Sequence, residues 1–131
     1  MQHIVFSLET SEYGIKVDDV REVLKRGVIH PLPNFTDPIL GAMPLRKGSV
    51  IVVDLHTYLK HDVSRSLSST QRIIVAKKDK LIMGLLVDDV TGIIDIDEKS
   101  IDLTTGMAHH GERLIFLMDL TRIMASLLTR C

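Results

Sequence analysis

Cysteine occurs once in this 131-residue chain, at Cys131; tryptophan is absent, and the aromatic set is three Phe and two Tyr. A lone cysteine excludes an internal disulfide framework and a cysteine-based zinc site. So few rings leave no stacking platform for nucleobases and no aromatic groove of the kind that reads polyproline. No apolar run approaches the roughly 18 residues of a spanning helix, and the opening MQHIVFSLET has no basic n-region, so neither direct membrane insertion nor classical export is expected. Net charge is also nearly missing: 16 Lys and Arg against 17 Asp and Glu give -1. No overall field would draw the molecule to nucleic acid or anionic lipid. The expectation is a cytoplasmic protein that recognises its partners locally.

The short motifs of catalysis are missing too. There is no Gly-x-Ser-x-Gly elbow, no Gly-x-x-x-x-Gly-Lys phosphate loop and no Gly-x-Gly-x-x-Gly turn. Six histidines raise a metal reading, yet His3, His30, His56 and His61 lack ligand spacing, and His109 and His110 point to opposite faces if extended. Lys77-Lys78-Asp79-Lys80 has no aromatic neighbour and reads as a solvated hairpin tip. No enzyme activity, metal or other cofactor is expected.

What the chain does have is short, β-branched apolar runs: Ile4 to Phe6, Val50 to Val53, Ile73 to Ala76, Leu81 to Val87 and Ile115 to Met118. Turn residues separate them, so they read as strands. Val17, Val20, Val23 and Leu24 share a helical face after Asp18, and a brief helical turn is expected from Asp88 to Gly92. The one full helix is terminal: Asp119 is placed to cap it, and Leu120, Ile123, Met124, Leu127 and Leu128 form a single stripe.

The chain also repeats itself. YGIKVDDV at residues 13 to 20 returns as MGLLVDDV at 83 to 90, and further on Gly41 pairs with Gly106, Val50 to Val53 with Ile115 to Met118, and Asp54-Leu55 with Asp119-Leu120. Recurrence in the same order predicts two related β units, about residues 2–59 and 71–124, joined by a serine-rich linker at 64–70. Asp18-Asp19 and Asp88-Asp89 then read as caps of helical turns, because the apolar frame recurs along with them. A metal-dependent hydrolase or ligand-binding β protein using these four carboxylates is the competing reading.

Between the repeats lies HPLPNFTDPILGAMPLRKGSVIVVDL, where Pro31, Pro33 and Pro38 force a long excursion that Gly41 ends. The ordered set Tyr13-Gly14-Ile15, Val17 to Val23, Pro33-Asn34, Ile39-Leu40-Gly41, Leu45-Arg46, Val52-Val53-Asp54-Leu55 and Gly84 to Asp88 resembles the CheW coupling-protein family of bacterial chemotaxis, from Phe6 to Leu128. That resemblance implies an all-β fold of two interlocked five-stranded SH3-like barrels from an internal duplication, closed by a C-terminal α-helix, in one domain over residues 1–131. It also implies a non-enzymatic scaffold coupling the cytoplasmic tips of methyl-accepting chemoreceptors to the regulatory domain of the histidine kinase CheA, with assembly into CheW-like rings in membrane-associated arrays. A related module of another motility or polar-localisation pathway is the variant reading. By position the resemblance assigns partner binding to Val20, Glu22, Arg46, Val87, Val90 and Ile93, with Glu22 and Arg46 expected to form an ion pair. The family usually has Asn-Leu-Arg-Gly where this chain has Pro44-Leu45-Arg46-Lys47, its glycine delayed to Gly48.

Overall fold

Glu9-Thr10 and Asp79-Lys80 are two-residue turns, and each closes a tight antiparallel hairpin. In the computed structural model, which describes residues 1–59 and 69–128, the first joins β1 (Gln2–Leu8) to β2 (Ser11–Lys16), and the second joins β6 (Arg72–Lys78) to β7 (Leu81–Val87). Between the hairpins run β3 (Val20–Lys25), β4 (Ile39–Pro44), β5 (Ser49–Asp54) and a one-turn helix, α1 (Leu55–Tyr58). After them come β8 (Asp89–Asp95), β9 (Ile101–Asp102), β10 (Met107–His110), β11 (Arg113–Leu117) and the helix α2 (Leu120–Leu128). The expected apolar runs fall within strands, except that Met118 lies one residue past β11. His61, Cys131 and the expected linker up to Ser68 lie outside the described residues.

The strands form two sheets, ordered β8-β1-β2-β11-β10-β9 and β3-β6-β7-β5-β4. Exchanging the two halves of the chain turns the first five strands of one order into the other. The registers agree as well: Val20 pairs with Ala76 and Glu22 with Val75, as Val90 pairs with Phe6 and Gly92 with Val5. Each sheet therefore contains strands of both halves, which is the interlocking of a duplicated fold. The short β9 adds a sixth strand to the first sheet, beyond the five expected.

This topology explains the repeated Asp-Asp-Val. After β2 the chain leaves the first sheet through a 3-10 turn at Val17–Asp19 and enters the second as β3; after β7 it leaves the second sheet at Asp88 and enters the first as β8. The triplets mark crossovers, and the expectation that they cap helices is corrected. The residue before the 3-10 turn is Lys16, with no side-chain cap, and Asp89 is a strand residue. Of the expected helical face, Val20, Val23 and Leu24 lie in strand β3 and only Val17 in the 3-10 turn, and the expected turn after Asp88 is strand β8. A bulge is the physical reason. One extra residue at Arg21 puts Val20 and Val23 on the same face of β3, and Thr91 does the same for Val90 and Ile93 in β8, so a bulged strand acquires the i, i+3 spacing of a helix.

Glycine recurs at 14 and 84 for close approach. A Cβ at Gly84 would lie 2.9 Å from the Ile73 methyl, and one at Gly14 would lie 3.2 Å from Leu117. Both glycines pair with a parallel neighbour strand, Gly14 with Leu117 and Gly84 with Val52.

The core has three parts. Met43, Val50, Val52, Ile73, Val75 and Leu86 fill the second sheet's own interior, while Val5, Ile96, Ala108 and Ile115 fill the first's. Between the sheets lies the largest cluster, including Phe6, Tyr13, Ile15, Ile74 and Leu85, closed by Leu120, Ile123, Met124 and Leu127 of α2. Strands β1, β6 and β7 thus bury both faces, which is why their sequences are unbroken apolar runs rather than alternating ones. Leu120, Ile123, Met124 and Leu127 of the α2 stripe are buried as its periodicity requires, and Asp119 caps the helix, its carboxylate accepting from the N–H of Thr121 at 2.9 Å.

Candidate partner-binding surface

Paired residues on neighbouring strands project to the same face. Val90 pairs with Phe6 and Ile93 with Ile4, so both aim at the side of the first sheet that packs on the second. Val20 pairs with Ala76 and Val23 with Ile74, which places them on the corresponding side of the second sheet. Since β3 is an edge strand and β8 is another, the shared core reaches solvent along them. Val20 and Val90 are half-buried against that core, whereas Val23 is 38% and Ile93 61% exposed. Each edge carries one anchored and one open apolar side chain.

The remaining assigned residues divide. Glu22 is exposed opposite Val75, and Arg46 is exposed in the β4–β5 turn, where the Leu45 N–H donates to the Gly48 carbonyl at 2.8 Å. Gly48 adopts a positive φ of 95°, so the delayed glycine serves the turn while Lys47 stands exposed beside Arg46. Their expected ion pair is not formed: β3 and β4 are opposite edges of the sheet, and no salt bridge among the described residues joins them. Val87 is fully buried in the shared core, so its side chain lies beneath the candidate surface.

The aspartates fasten the crossovers. Asp19 reaches Lys78 at 3.4 Å. Asp88 accepts the Glu9 N–H at 2.7 Å with one oxygen and meets His56 Nε2 at 2.7 Å with the other, while its own N–H donates to the Ser7 carbonyl. His56 is almost fully buried and lies 3.9 Å from Glu9 on its other side, so one cluster ties the first hairpin, α1 and the β7–β8 crossover together. The sequence gives no hint of this cluster, since its members lie far apart in the chain. Among the described residues, no three His, Cys, Asp or Glu side chains gather as metal ligands would. Val23 was also missed as a surface residue, although its offset from Ile93 equals that of Val20 from Val90.

Glu12 and His3 are among the titrating groups displaced by their surroundings. Hydrogen bonding to Arg113 holds the Glu12 carboxyl below the usual carboxylate range, with an Arg113 Nε to Glu12 distance of 2.9 Å. Burial pushes His3 down, partly offset by its contact with the Met1 carbonyl. Both groups lie in the first sheet and neither belongs to the apolar edges.

Comparison with known proteins places this surface in context. The family model of the CheW-like domain matches residues 2–127. The chemotaxis protein CheW of Thermotoga maritima is 28% identical over 129 residues, covering 91% of this chain and 84% of that protein. The CheW of Rhizobium meliloti is 30% identical over 112 residues, covering 84% of this chain and 70% of that protein. The crystal structure of the scaffolding protein TtCheW from Thermoanaerobacter tengcongensis superposes with a TM-score of 0.83 at 30% identity, covering 91% of this chain and 84% of that one.

Proposed function

The chain belongs to the CheW-like domain family, and from that membership we propose that it is a chemotaxis scaffold coupling the cytoplasmic tips of chemoreceptors to the regulatory domain of the histidine kinase CheA. The whole chain acts as one CheW-like domain with copies at about residues 2–59 and 71–124. It works by holding surfaces in place, without catalysis, in a receptor array. No described helix is long and apolar enough to cross a membrane, so in this reading contact with the array runs through protein partners.

The observation that carries the reading is the duplicated apolar edge. Val20 with Val23, and Val90 with Ile93, present small branched side chains where the shared core meets solvent. A receptor hairpin offers helical apolar stripes, and burying such contacts yields about 25 cal/mol for each Å² removed from water. Glu22 and Arg46, exposed near the ends of the second sheet, are the polar groups suited to orienting a partner at the rim. Titration calorimetry against a receptor-tip fragment, and separately against the kinase regulatory domain, tests this function. Binding to neither would remove it.

A further inference from the structure

The two apolar edges match in register and differ in charge. Beyond Val23, β3 ends at Lys25, which pairs with Arg72 of β6; beyond Ile93, β8 ends at Asp95, which pairs with Gln2 of β1. These are the same positions of the duplicated ladder, displaced by 70 residues. Lys25 lies two residues past Val23, and Arg72 also pairs with Val87 of the shared core, so both cations stand on the face that carries Val20 and Val23. Glu22, the one carboxylate of β3, pairs with Val75 and projects to the other face. Arg72 is half-buried, and its Nη1 donates to the carbonyls of Ser69 and Gln71, each at 2.9 Å, which holds the guanidinium in place, whereas Lys25 is exposed. Like charges directly opposite one another repel across a ladder, and a carboxylate shared between them would remove that cost. Among the described residues neither Lys25 nor Arg72 has a carboxylate within 4 Å, while Asp95 at the other edge is met by the Met1 amino group at 2.8 Å.

We infer that the β3 edge accepts an amphipathic helix of a protein partner that carries a carboxylate one turn beyond its apolar stripe, and that the β8 edge disfavours the same helix. The bulge at Arg21 interrupts the ladder that an added strand would need, so recognition falls to the side chains on the face. Val20 and Val23 stand roughly 10 Å apart along the strand, close to the rise of two helical turns, and Lys25 follows about 7 Å further on, little more than one turn. A helix laid along β3 therefore sets apolar residues against the two valines and an acid against Lys25 and Arg72, whose ammonium and guanidinium groups are suited to share one carboxylate. On β8 the same helix would set its acid against Asp95. The inference rests on the reading of these edges as partner surfaces and adds which chemistry each accepts.

The probe is a stapled amphipathic helix of about four turns, its Leu stripe ending in Glu, compared with the same helix ending in Gln. Binding to the full chain is followed by methyl NMR, with the exposed Val23 reporting on β3 and the exposed Ile93 on β8. The expected result is saturable shifts at Val23, with the Glu helix binding at least about threefold tighter than the Gln helix and the difference narrowing as salt screens the charges. Exchanging the charges, Lys25→Asp with Asp95→Lys, alters two exposed residues, so it should keep the thermal melt while moving the Glu preference from Val23 to Ile93. Equal binding of the two helices at Val23, or a Glu preference there that survives the exchange, would overturn the proposal and leave the edges standing as partner surfaces. No shift at either edge with millimolar helix would overturn both. Should the exchanged protein not fold, the Glu-to-Gln comparison decides alone, since it leaves the protein unchanged.

Discussion

Val20 and Val90 occupy the same point of two interlocked sheets: each stands immediately before the bulged residue of an edge strand, and each packs half-buried on the one core the sheets share. Duplication has therefore produced two matched apolar edges. The two residues differ in what supports them. Val20 sits opposite Ala76, and Val90 sits opposite the ring of Phe6.

Ile93 separates partner binding from folding better than Val90 does. At 61% exposure its side chain contributes little to the core, so Ile93→Asp should leave the melting temperature nearly unchanged while weakening receptor-tip binding several-fold or more. Val90→Asp should weaken binding comparably but also lower stability by about 1–3 kcal/mol, because it brings a carboxylate against a half-buried apolar contact. Thermal melts beside calorimetric titrations with receptor tip and kinase domain distinguish these effects. Unchanged receptor binding in Ile93→Asp would remove the β8 edge from the site.

Gly84 and Gly14 test the close approach of the parallel strands. A Cβ at Gly84 would meet Ile73 at 2.9 Å, inside any normal contact, whereas at Gly14 the nearest atoms are side-chain methyls at 3.2 and 3.3 Å. Gly84→Ala should cost about 1–3 kcal/mol, the range for overpacking a filled interior. Gly14→Ala should cost less, because the Leu117 side chain that it meets is only half-buried. Urea denaturation of both variants gives the order, and a reversed order would contradict it.

The strands were legible because their signal is local. Ile73 to Ala76 and Leu81 to Val87 announce themselves by β-branching and by the lack of alternation that two buried faces produce. Asp119 and the stripe of α2 were legible for the same reason. The exchange of strands between sheets was not, since nothing in YGIKVDDV states which hairpin β3 will join. The bulges at Arg21 and Thr91 went further and imitated a helix. At the candidate surface, the resemblance nominated Val20, Val90 and Ile93 by position, but could not show that Val87 points inward or that Glu22, on the β3 edge, is separated from Arg46, in the β4–β5 turn, because both depend on how the sheets curl and pack.

Acid should weaken the first sheet by two separate routes. Arg113 holds Glu12 below its ordinary pKa of 4.5, so the unfolded chain takes up that proton first; the pair's contribution is present above 4.5 and is lost as pH falls through the lower folded value. Arg113→Ala should then cost up to about 1 kcal/mol at neutral pH, given the exposure of the pair, and almost nothing near pH ~2. His3, pushed below its ordinary 6.5 mainly by burial, is kept neutral in the folded state, so it lowers stability as pH falls from 6.5 toward its folded value. His3→Gln should flatten that milder slope. Urea midpoints across the pH range resolve both, and an Arg113→Ala loss that is equal at neutral and acid pH would assign its effect to packing instead of charge.

Asp54 and Asp119 are the same cap in two environments. Asp54 ends the last strand of its copy and Asp119 follows that of the other, and each carboxylate accepts from the first helical turn, Asp54 from the His56 N–H at 3.1 Å and Asp119 from the Thr121 N–H at 2.9 Å. Asp119 is exposed, so after Asp119→Ala water can satisfy the released donors and the cost should be about 1 kcal/mol, the usual value for losing a cap. Asp54 is fully buried and also accepts from the Thr57 hydroxyl at 3.0 Å. Removing it strips hydrogen bonds where water has little access, which adds about 1–3 kcal/mol for each donor left without a partner. Asp54→Ala should therefore exceed Asp119→Ala by at least about 1 kcal/mol in urea denaturation at neutral pH. Asp54→Asn, which keeps an acceptor oxygen, should recover part of the difference; equal losses at the two caps would mean that burial does not set the strength of this interaction.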